Sequence, residues 1–219
     1  MAVKVAVVYY SATGTTYALA KAIVEGAESA GAEVRLRKVH ELAPEEAIAS
    51  NAGWAAHRLE TQDVPEATLA DLEACDALIF GSPTRYGLPA AQLKQFLDTT
   101  GPLWATGKLV NKITSGFTSA ATLHGGQEST ILALYNTFYH WSSITVAPGY
   151  ADPIQFAAGN PYGTSFVSQN GAAKPDDTAL NAARFQGRRV AEIATRLNAG
   201  NSAQGVGEGA TPEAVGANR

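Results

Sequence analysis

The amino-acid sequence predicts an α/β fold built on a parallel β-sheet. Residues 3–9 form a nearly continuous apolar run rich in valine, which is typical of a central strand covered on both faces. In residues 15–30 the apolar positions recur every three or four residues instead, as they do in an amphipathic helix. Strand-like and helix-like segments keep alternating along the chain, and repeated β-α units favour parallel strands joined by right-handed crossovers.

The remaining elements follow from the same two periodicities. Residues 33–39 alternate, with Val34 and Leu36 between charged neighbours, which favours an edge strand. Further strands are predicted at residues 77–81, 112–117 and 143–146. Further helices are predicted at residues 89–97, around residues 131–138 and at residues 178–197.

Three segments depart from the alternation. Residues 40–72 contain no strong strand, and we expect a connection with a short helix or two. Residues 150–177 form a long loop dense in Gly, Asn and Pro, and a loop of this length is more often functional or interfacial than idle. Residues 199–219 are Gly- and Ala-rich without periodicity, so we expect one domain over residues 1–198 and a disordered tail after it.

Composition narrows the functional class. The 219 residues carry a net charge of −4 without a basic cluster, which argues against nucleic acid or anionic membranes as partners. Cys75 is the single cysteine, so no internal disulfide can form and a reducing compartment is expected. No signal-peptide pattern and no apolar run near 20 residues is present. We therefore expect a cytoplasmic protein without membrane insertion.

A loop rich in hydroxyl groups joins the first strand to the first helix. It consists of Ser11, Ala12, Thr13, Gly14, Thr15 and Thr16. Successive backbone N–H groups, a helix N-terminus and four hydroxyls can converge there on a phosphate, and Gly14 allows a tight turn. The loop lacks the lysine of a P-loop and the G-x-G-x-x-G of a dinucleotide site. Simple helix capping by Ser and Thr is the alternative interpretation.

Two more polar loops follow predicted strands. The first contains Pro83, Thr84, Arg85 and Tyr86, and its backbone amides could face a flat heteroaromatic ring. The second covers residues 118–128 and could, by itself, be an ordinary flexible loop. Ligands of open parallel sheets bind at the carboxyl ends of strands. Three such loops at successive strand ends therefore predict one site.

In these motifs the chain resembles the WrbA-type NAD(P)H:quinone oxidoreductases of the flavodoxin-like superfamily. The matching segments are residues 9–11, 80–87, 96–104, 125–128, 161–163 and 183–187. The resemblance extends to about residue 197 and implies a flavodoxin-like three-layer sandwich with a five-stranded parallel sheet in the order 2-1-3-4-5. It also implies FMN as cofactor, NADH or NADPH as electron donor, a quinone as substrate and assembly as a homotetramer.

The resemblance assigns roles to particular residues. Residues 11–16 are expected to hold the FMN phosphate, and Thr84, Arg85 and Tyr86, with Pro83 beside them, to line the isoalloxazine ring. His140 is expected to contact the flavin and Trp104 to lie over the substrate face. The expected contacts to the ribityl chain and ring edge are Ser119, Ala120, Ala121, Thr122, Leu123 and His124. The aromatic residue that some members carry at position 13 is absent, and Trp141 stands where a second histidine can occur.

In this mechanism the cofactor carries the chemistry, so no catalytic side chain and no metal are expected. The histidines show no metal-ligand spacing, and His40, His57 and His124 are interpreted as surface residues. The predicted function is two-electron transfer from nicotinamide to flavin and then to a quinone, by a ping-pong mechanism. The alternatives are a flavodoxin-like one-electron carrier, which Arg85 in place of acidic residues disfavours, and a non-catalytic partner of a transcription regulator.

Overall fold

The computed structural model describes residues 2–204 and shows a mainly parallel sheet between two layers of helices. The strands are β1 (Lys4–Tyr9), β2 (Glu33–Lys38), β3 (Ala77–Arg85), β4 (Leu88–Pro89), β5 (Ile113–Ala120), β6 (Ile144–Thr145) and β7 (Ser165–Val167). The helices are α1 (Thr15–Ser29), α2 (Glu45–Ala49), α3 (Ala52–Glu60), α4 (Leu69–Ala74), α5 (Ala91–Asp98), α6 (Gly101–Ala105), α7 (Gln127–His140), α8 (Pro153–Ala158) and α9 (Asp177–Gln204).

The strand order confirms the predicted topology. The main path runs β2-β1-β3-β5-β6 with every pair parallel, which is the order 2-1-3-4-5 once the two-residue β4 is left out. Val7 of β1 pairs with Leu36 on one side and with Ile79 on the other. β2 lies at the edge, as its alternating sequence predicts.

Alternate residues of each strand face opposite helical layers, because side chains of a strand alternate between the two faces. Val5 and Val7 pack with α1 and α9 in one core, whereas Ala6 and Val8 pack with α5 and α7 in the other. All four side chains are fully buried. A strand that is covered on both faces must be apolar throughout, which explains the unbroken run in β1.

The expectation of a long loop at residues 150–177 is wrong. This segment contains α8, β7 and a 3₁₀ turn (Gln169–Gly171). β6 pairs only with Ile113 and Thr114, so the second half of β5 is left free, and β7 pairs with it at residues 118–120. The fifth strand position is therefore shared by two short strands.

Other boundaries differ in smaller ways. Residues 40–72 contain three short helices, and the helix predicted from residue 89 begins at Ala91 because β4 pairs antiparallel with the end of β3. α9 continues to Gln204, six residues beyond the predicted domain end, so the first part of the predicted tail is helical. Residues 205–219 of that tail lie outside the described residues. Within residues 2–204, none of the helices combines the length and the hydropathy needed to cross a membrane.

Candidate functional site

A cavity of about 350 Å³ opens at the carboxyl ends of β1, β3 and β5. The loops that follow these three strands all contribute to it. The predicted site residues that line the cavity are Ser11, Ala12, Thr13, Thr15, Thr16, Pro83, Arg85, Ser119, Ala120 and Ala121. The parallel topology thus brings the three polar loops together, as their positions after the strands predict.

The loop between β1 and α1 has the geometry of an anion site. Gly14 adopts φ +95° and its N–H donates to Ser11 Oγ at 3.1 Å. Within the described chain, the backbone N–H groups of Ala12, Thr13, Thr15 and Thr16 donate to no protein acceptor. The first turn of α1 contains no acidic side chain. Unpaired N–H groups at the positive end of a helix dipole suit a phosphate without any lysine or arginine.

Two of the hydroxyls connect this loop to the end of β5. Thr16 Oγ1 and Ser119 Oγ share a buried hydrogen bond of 2.9 Å. Thr15 and Thr16 are themselves buried at the base of the loop, whereas Thr13 is exposed at its rim. The bond keeps the first and third loops at a fixed separation across the floor of the cavity.

The loop after β3 is a tight hairpin. Tyr86 and Gly87 both have positive φ, 53° and 78°, as in the two-residue turns that suit twisted hairpins. Thr84 Oγ1 accepts hydrogen bonds from Thr130 Oγ1 at 2.7 Å and from the N–H of Gly87 at 3.2 Å, so it fixes the turn. Arg85 and Tyr86 are exposed at its tip. A rigid hairpin can present backbone and ring to a planar ligand without further ordering.

The loop after β5 is divided between two cavities. Ala121 lines the first cavity, whereas Leu123 and His124 line a neighbouring one of about 460 Å³ beside α8. The side-chain amide of Gln127 donates to the carbonyl oxygens of Thr122 and Leu123, both at 3.0 Å, and holds the loop in this shape. The predicted flavin contacts of Thr122, Leu123 and His124 stay predictions.

Two groups of residues that line the 350 Å³ cavity were not predicted from the sequence. Asn51 and Trp54 come from the start of α3, and Ser168, Asn170 and Gly171 come from the segment after β7. Ser168 donates to the carbonyl oxygen of Ala120 through its N–H at 2.7 Å and its hydroxyl at 3.1 Å. Only the polar, Gly-rich composition of residues 150–177 signalled the second group, and no sequence signal marked Trp54.

His57 contradicts the prediction of a surface histidine, because only 5% of it is exposed. Its ring lies 5.3 Å from that of Tyr17, and a methyl group on Gly14 would come within 3.4 Å of Nδ1. Burial lowers the pKa of His57 despite the carboxylate of Glu60, 3.2 Å from Nδ1. A neutral imidazole therefore packs directly behind the phosphate loop.

Trp104 and His140 are not brought to the cavity of their own chain. Trp104 Nε1 donates to the carbonyl oxygen of His140 at 2.9 Å, so the two residues are neighbours. His140 ends α7, whereas Gln127 begins it beside the hairpin loop, and a helix of 14 residues is about 20 Å long. Neither residue therefore lines the cavity of its own chain, because α7 carries His140 towards the opposite ends of the strands, and the expected roles of both residues stay predictions.

Comparisons with known proteins agree with this geometry. The family described as NADPH-dependent FMN reductase matches residues 3–156. The NAD(P)H dehydrogenase (quinone) of Deinococcus radiodurans is 46% identical over 196 residues, which cover 89% of this chain and 97% of that protein. The protein of the same name from Sinorhizobium fredii is 48% identical over 200 residues, covering 89% of this chain and 98% of that one.

Comparison with solved structures also points to a flavodoxin-like fold. The flavodoxin-like WrbA-like protein of Agrobacterium tumefaciens superposes with a TM-score of 0.63 at 28% identity, covering 89% of this chain and 99% of that one. An archaeal flavodoxin at 21% identity, with a TM-score of 0.59, shares the fold and covers 88% of this chain and 99% of that one. The predicted fold, family resemblance and oxidoreductase class are confirmed. The chain therefore belongs to the NADPH-dependent FMN reductase family and to the NAD(P)H dehydrogenase (quinone) family of these relatives.

Proposed function

We propose that this chain is an FMN-dependent NAD(P)H:quinone oxidoreductase that takes two electrons from a nicotinamide and delivers them to a quinone by a ping-pong mechanism. The observation that carries the proposal is the loop of residues 11–16, with its unpaired N–H groups at the start of α1 inside the cavity. The names of the relatives support a nicotinamide as the electron donor and a quinone as the acceptor. When bound, FMN would supply the hydride acceptor and donor.

The residues of the chain would bind FMN and orient it. Residues 11–16 would donate N–H and O–H groups to the terminal phosphate, and the hairpin with Pro83 and Arg85 would border the ring system. The positive charge of Arg85 favours negative charge on a ligand beside it, as a two-electron acceptor requires. A one-electron carrier would instead benefit from acidic residues there, and the described residues that line the cavity include no Asp or Glu.

The identity of the cofactor is the first test. A loop that suits one terminal phosphate monoester should retain FMN and not FAD. We expect mass spectrometry of the flavin released from the purified protein to show FMN, at about one per chain. FAD as the released flavin, or an apoprotein that fails to take up FMN, would refute the proposal.

We further propose that the chain works as a homotetramer, and that Trp104 and His140 reach the cavity of a neighbouring copy. Several large apolar groups lie on the surface: Trp104 is 58% exposed, Tyr139 61% and Phe156 69%. An interface between copies would cover these side chains, and closed symmetric assemblies are the usual form of homo-oligomers. Since Cys75 is buried and needs no oxidising compartment, we also propose that the protein is cytoplasmic.

Replacing Trp104 by alanine should raise the KM for benzoquinone about tenfold, because an aromatic wall over a planar substrate is lost. The FMN affinity should stay unchanged, and Trp104→Phe should behave like the wild type. Light scattering should show a tetramer in all three proteins. A monomer with FMN bound, or an unaltered KM, would contradict the assignment.

A further inference from the structure

The helix α3 rests directly on the phosphate loop. A methyl group on Gly53 would lie 3.9 Å from Thr13 Cγ2, and one on Gly14 would lie 3.4 Å from His57 Nδ1. Gly53 and His57 are four residues apart, so they share one face of α3. Asn51 caps the helix by accepting from the N–H of Trp54 at 3.1 Å. The start of α3 is therefore held over the cavity in a defined position.

Trp54 lies between two cavities. It lines the 350 Å³ cavity of the phosphate loop and also an adjoining cavity of about 570 Å³ between α3 and the ends of β1 and β2. Ser11 lines both cavities as well. The indole thus separates the proposed cofactor site from the neighbouring space, and its orientation decides how wide that site is on this side.

A single carboxylate fixes this indole. Trp54 Nε1 donates to Glu41 Oε2 at 3.2 Å. The same carboxylate accepts from Tyr10 OH at 3.0 Å and from Gln92 Nε2 at 2.7 Å. It also accepts from the N–H groups of residues 42 and 43, at 2.9 and 3.0 Å.

Three of these five donors come from separate parts of the fold. Tyr10 lies between the end of β1 and the phosphate loop, Gln92 lies on α5, and Trp54 lies on α3. Burial opposes ionisation of Glu41, but the hydrogen bonds outweigh it and lower the pKa of the carboxyl. The charged carboxylate can therefore hold all five donors at neutral pH and join the loop, α3 and α5.

We propose that Trp54 forms a wall of the flavin site and that Glu41 is the residue that positions it. The inference rests on the proposed binding of FMN. It assigns a role to two residues outside the three strand-end loops, and it makes α3 part of the cofactor site.

The test measures FMN binding to the apoprotein by the quenching of FMN fluorescence. Glu41→Gln retains the size of the side chain but replaces one accepting oxygen by an NH2 group, which donates and cannot accept, so the Kd for FMN should rise about tenfold. Trp54→Phe retains an aromatic ring but lacks the N–H, and its Kd should rise to a similar extent. The double variant should be no weaker than the single ones, because both substitutions remove the same interaction.

Glu45→Gln is the matched control. Glu45 lies four residues after Glu41 and forms an ion pair with Arg58 on the surface. Surface ion pairs contribute little to stability, so the loss of this pair should not disturb the site. Its Kd should stay within twofold of the wild-type value. Visible circular dichroism of bound FMN adds a signature of the ring's surroundings. The Glu41→Gln and Trp54→Phe spectra should change in the same direction, whereas the Glu45→Gln spectrum should match the wild type.

Wild-type Kd and spectra in both Glu41→Gln and Trp54→Phe would overturn the inference, as would fully additive effects in the double variant. If Glu41→Gln does not fold, Trp54→Phe decides the question alone, since it removes only the indole and its N–H. A wild-type protein that binds no FMN would refute the proposed function itself, whereas normal wild-type binding with unaffected variants would refute only the role of α3.

Discussion

Replacing Ser11 and Thr16 together by alanine is expected to weaken FMN binding by on the order of 2–4 kcal/mol, about 30- to 900-fold in Kd. Each substitution would remove a hydroxyl that donates a hydrogen bond to the charged phosphate. The structure adds a second reason, because Ser11 Oγ accepts from the N–H of Gly14 and Thr16 Oγ1 bonds with Ser119 Oγ. The double substitution therefore removes two hydroxyl donors to the phosphate, and it also removes two contacts that shape the loop.

The measurement is a titration of the apoprotein with FMN and, separately, with riboflavin, which lacks the phosphate. The loss should be large for FMN and small for riboflavin. Ser29→Ala is the control, because it removes a hydroxyl from the far end of α1, where Oγ donates to the carbonyl oxygen of Gly26. A Kd for FMN within threefold of the wild-type value would show that this loop is not the phosphate site.

Replacing Gly187 by alanine is expected to lower the free energy of unfolding by about 3 kcal/mol, the upper part of the range for overpacking. A methyl group there would lie 2.0 Å from the carbonyl oxygen of Ile23, and one on Gly26 would lie 1.9 Å from that of Arg184. α1 and α9 thus approach each other through these two glycines. Backbone atoms cannot rotate away as a flexible side chain can, so the helices must separate.

Urea unfolding of the apoprotein, with its midpoint as the readout, measures this effect. Gly101→Ala is the matched control, because a methyl group at that position meets no atom within 4 Å. Its midpoint should equal or slightly exceed that of the wild type. An unchanged midpoint for Gly187→Ala would show that the approach of α1 to α9 is looser than the structure has it.

Local periodicity was enough to predict the main elements. The apolar run of β1, the alternation of β2 and the helical stripe of α1 each reflect which faces are buried. The phosphate loop could also be predicted, because its chemistry is local to six consecutive residues. β7 could not, since its three residues are a strand only because β6 leaves the second half of β5 unpaired.

The rest of the site depends on tertiary contacts. Trp54 lies at the cavity through a hydrogen bond to Glu41, 13 residues earlier in the chain, and no local pattern marks that pair. The motif resemblance identified Trp104 and His140 as candidate site residues, but it could not predict where they lie in the fold. α7 carries His140 away from the loops that precede that helix, and Trp104 lies beside it.

The two sets of variants can be combined to test whether sites are shared between copies. The Trp104→Ala protein retains its phosphate loop, and the Ser11→Ala, Thr16→Ala protein retains Trp104. Mixing them and letting subunits exchange should restore low-KM quinone reduction in part, because some intact flavin sites would then face an intact Trp104. Activity equal to the sum of the separate proteins would place Trp104 outside the neighbouring site.

The most direct test of the proposed function is the steady-state oxidation of NADH or NADPH, followed by nicotinamide absorbance under anaerobic conditions at several fixed benzoquinone concentrations. Donor and quinone should use one site in turn, so the double-reciprocal lines should be parallel, and turnover should require added FMN when the apoprotein is used. Intersecting lines, or nicotinamide oxidation that does not depend on the quinone, would contradict the account.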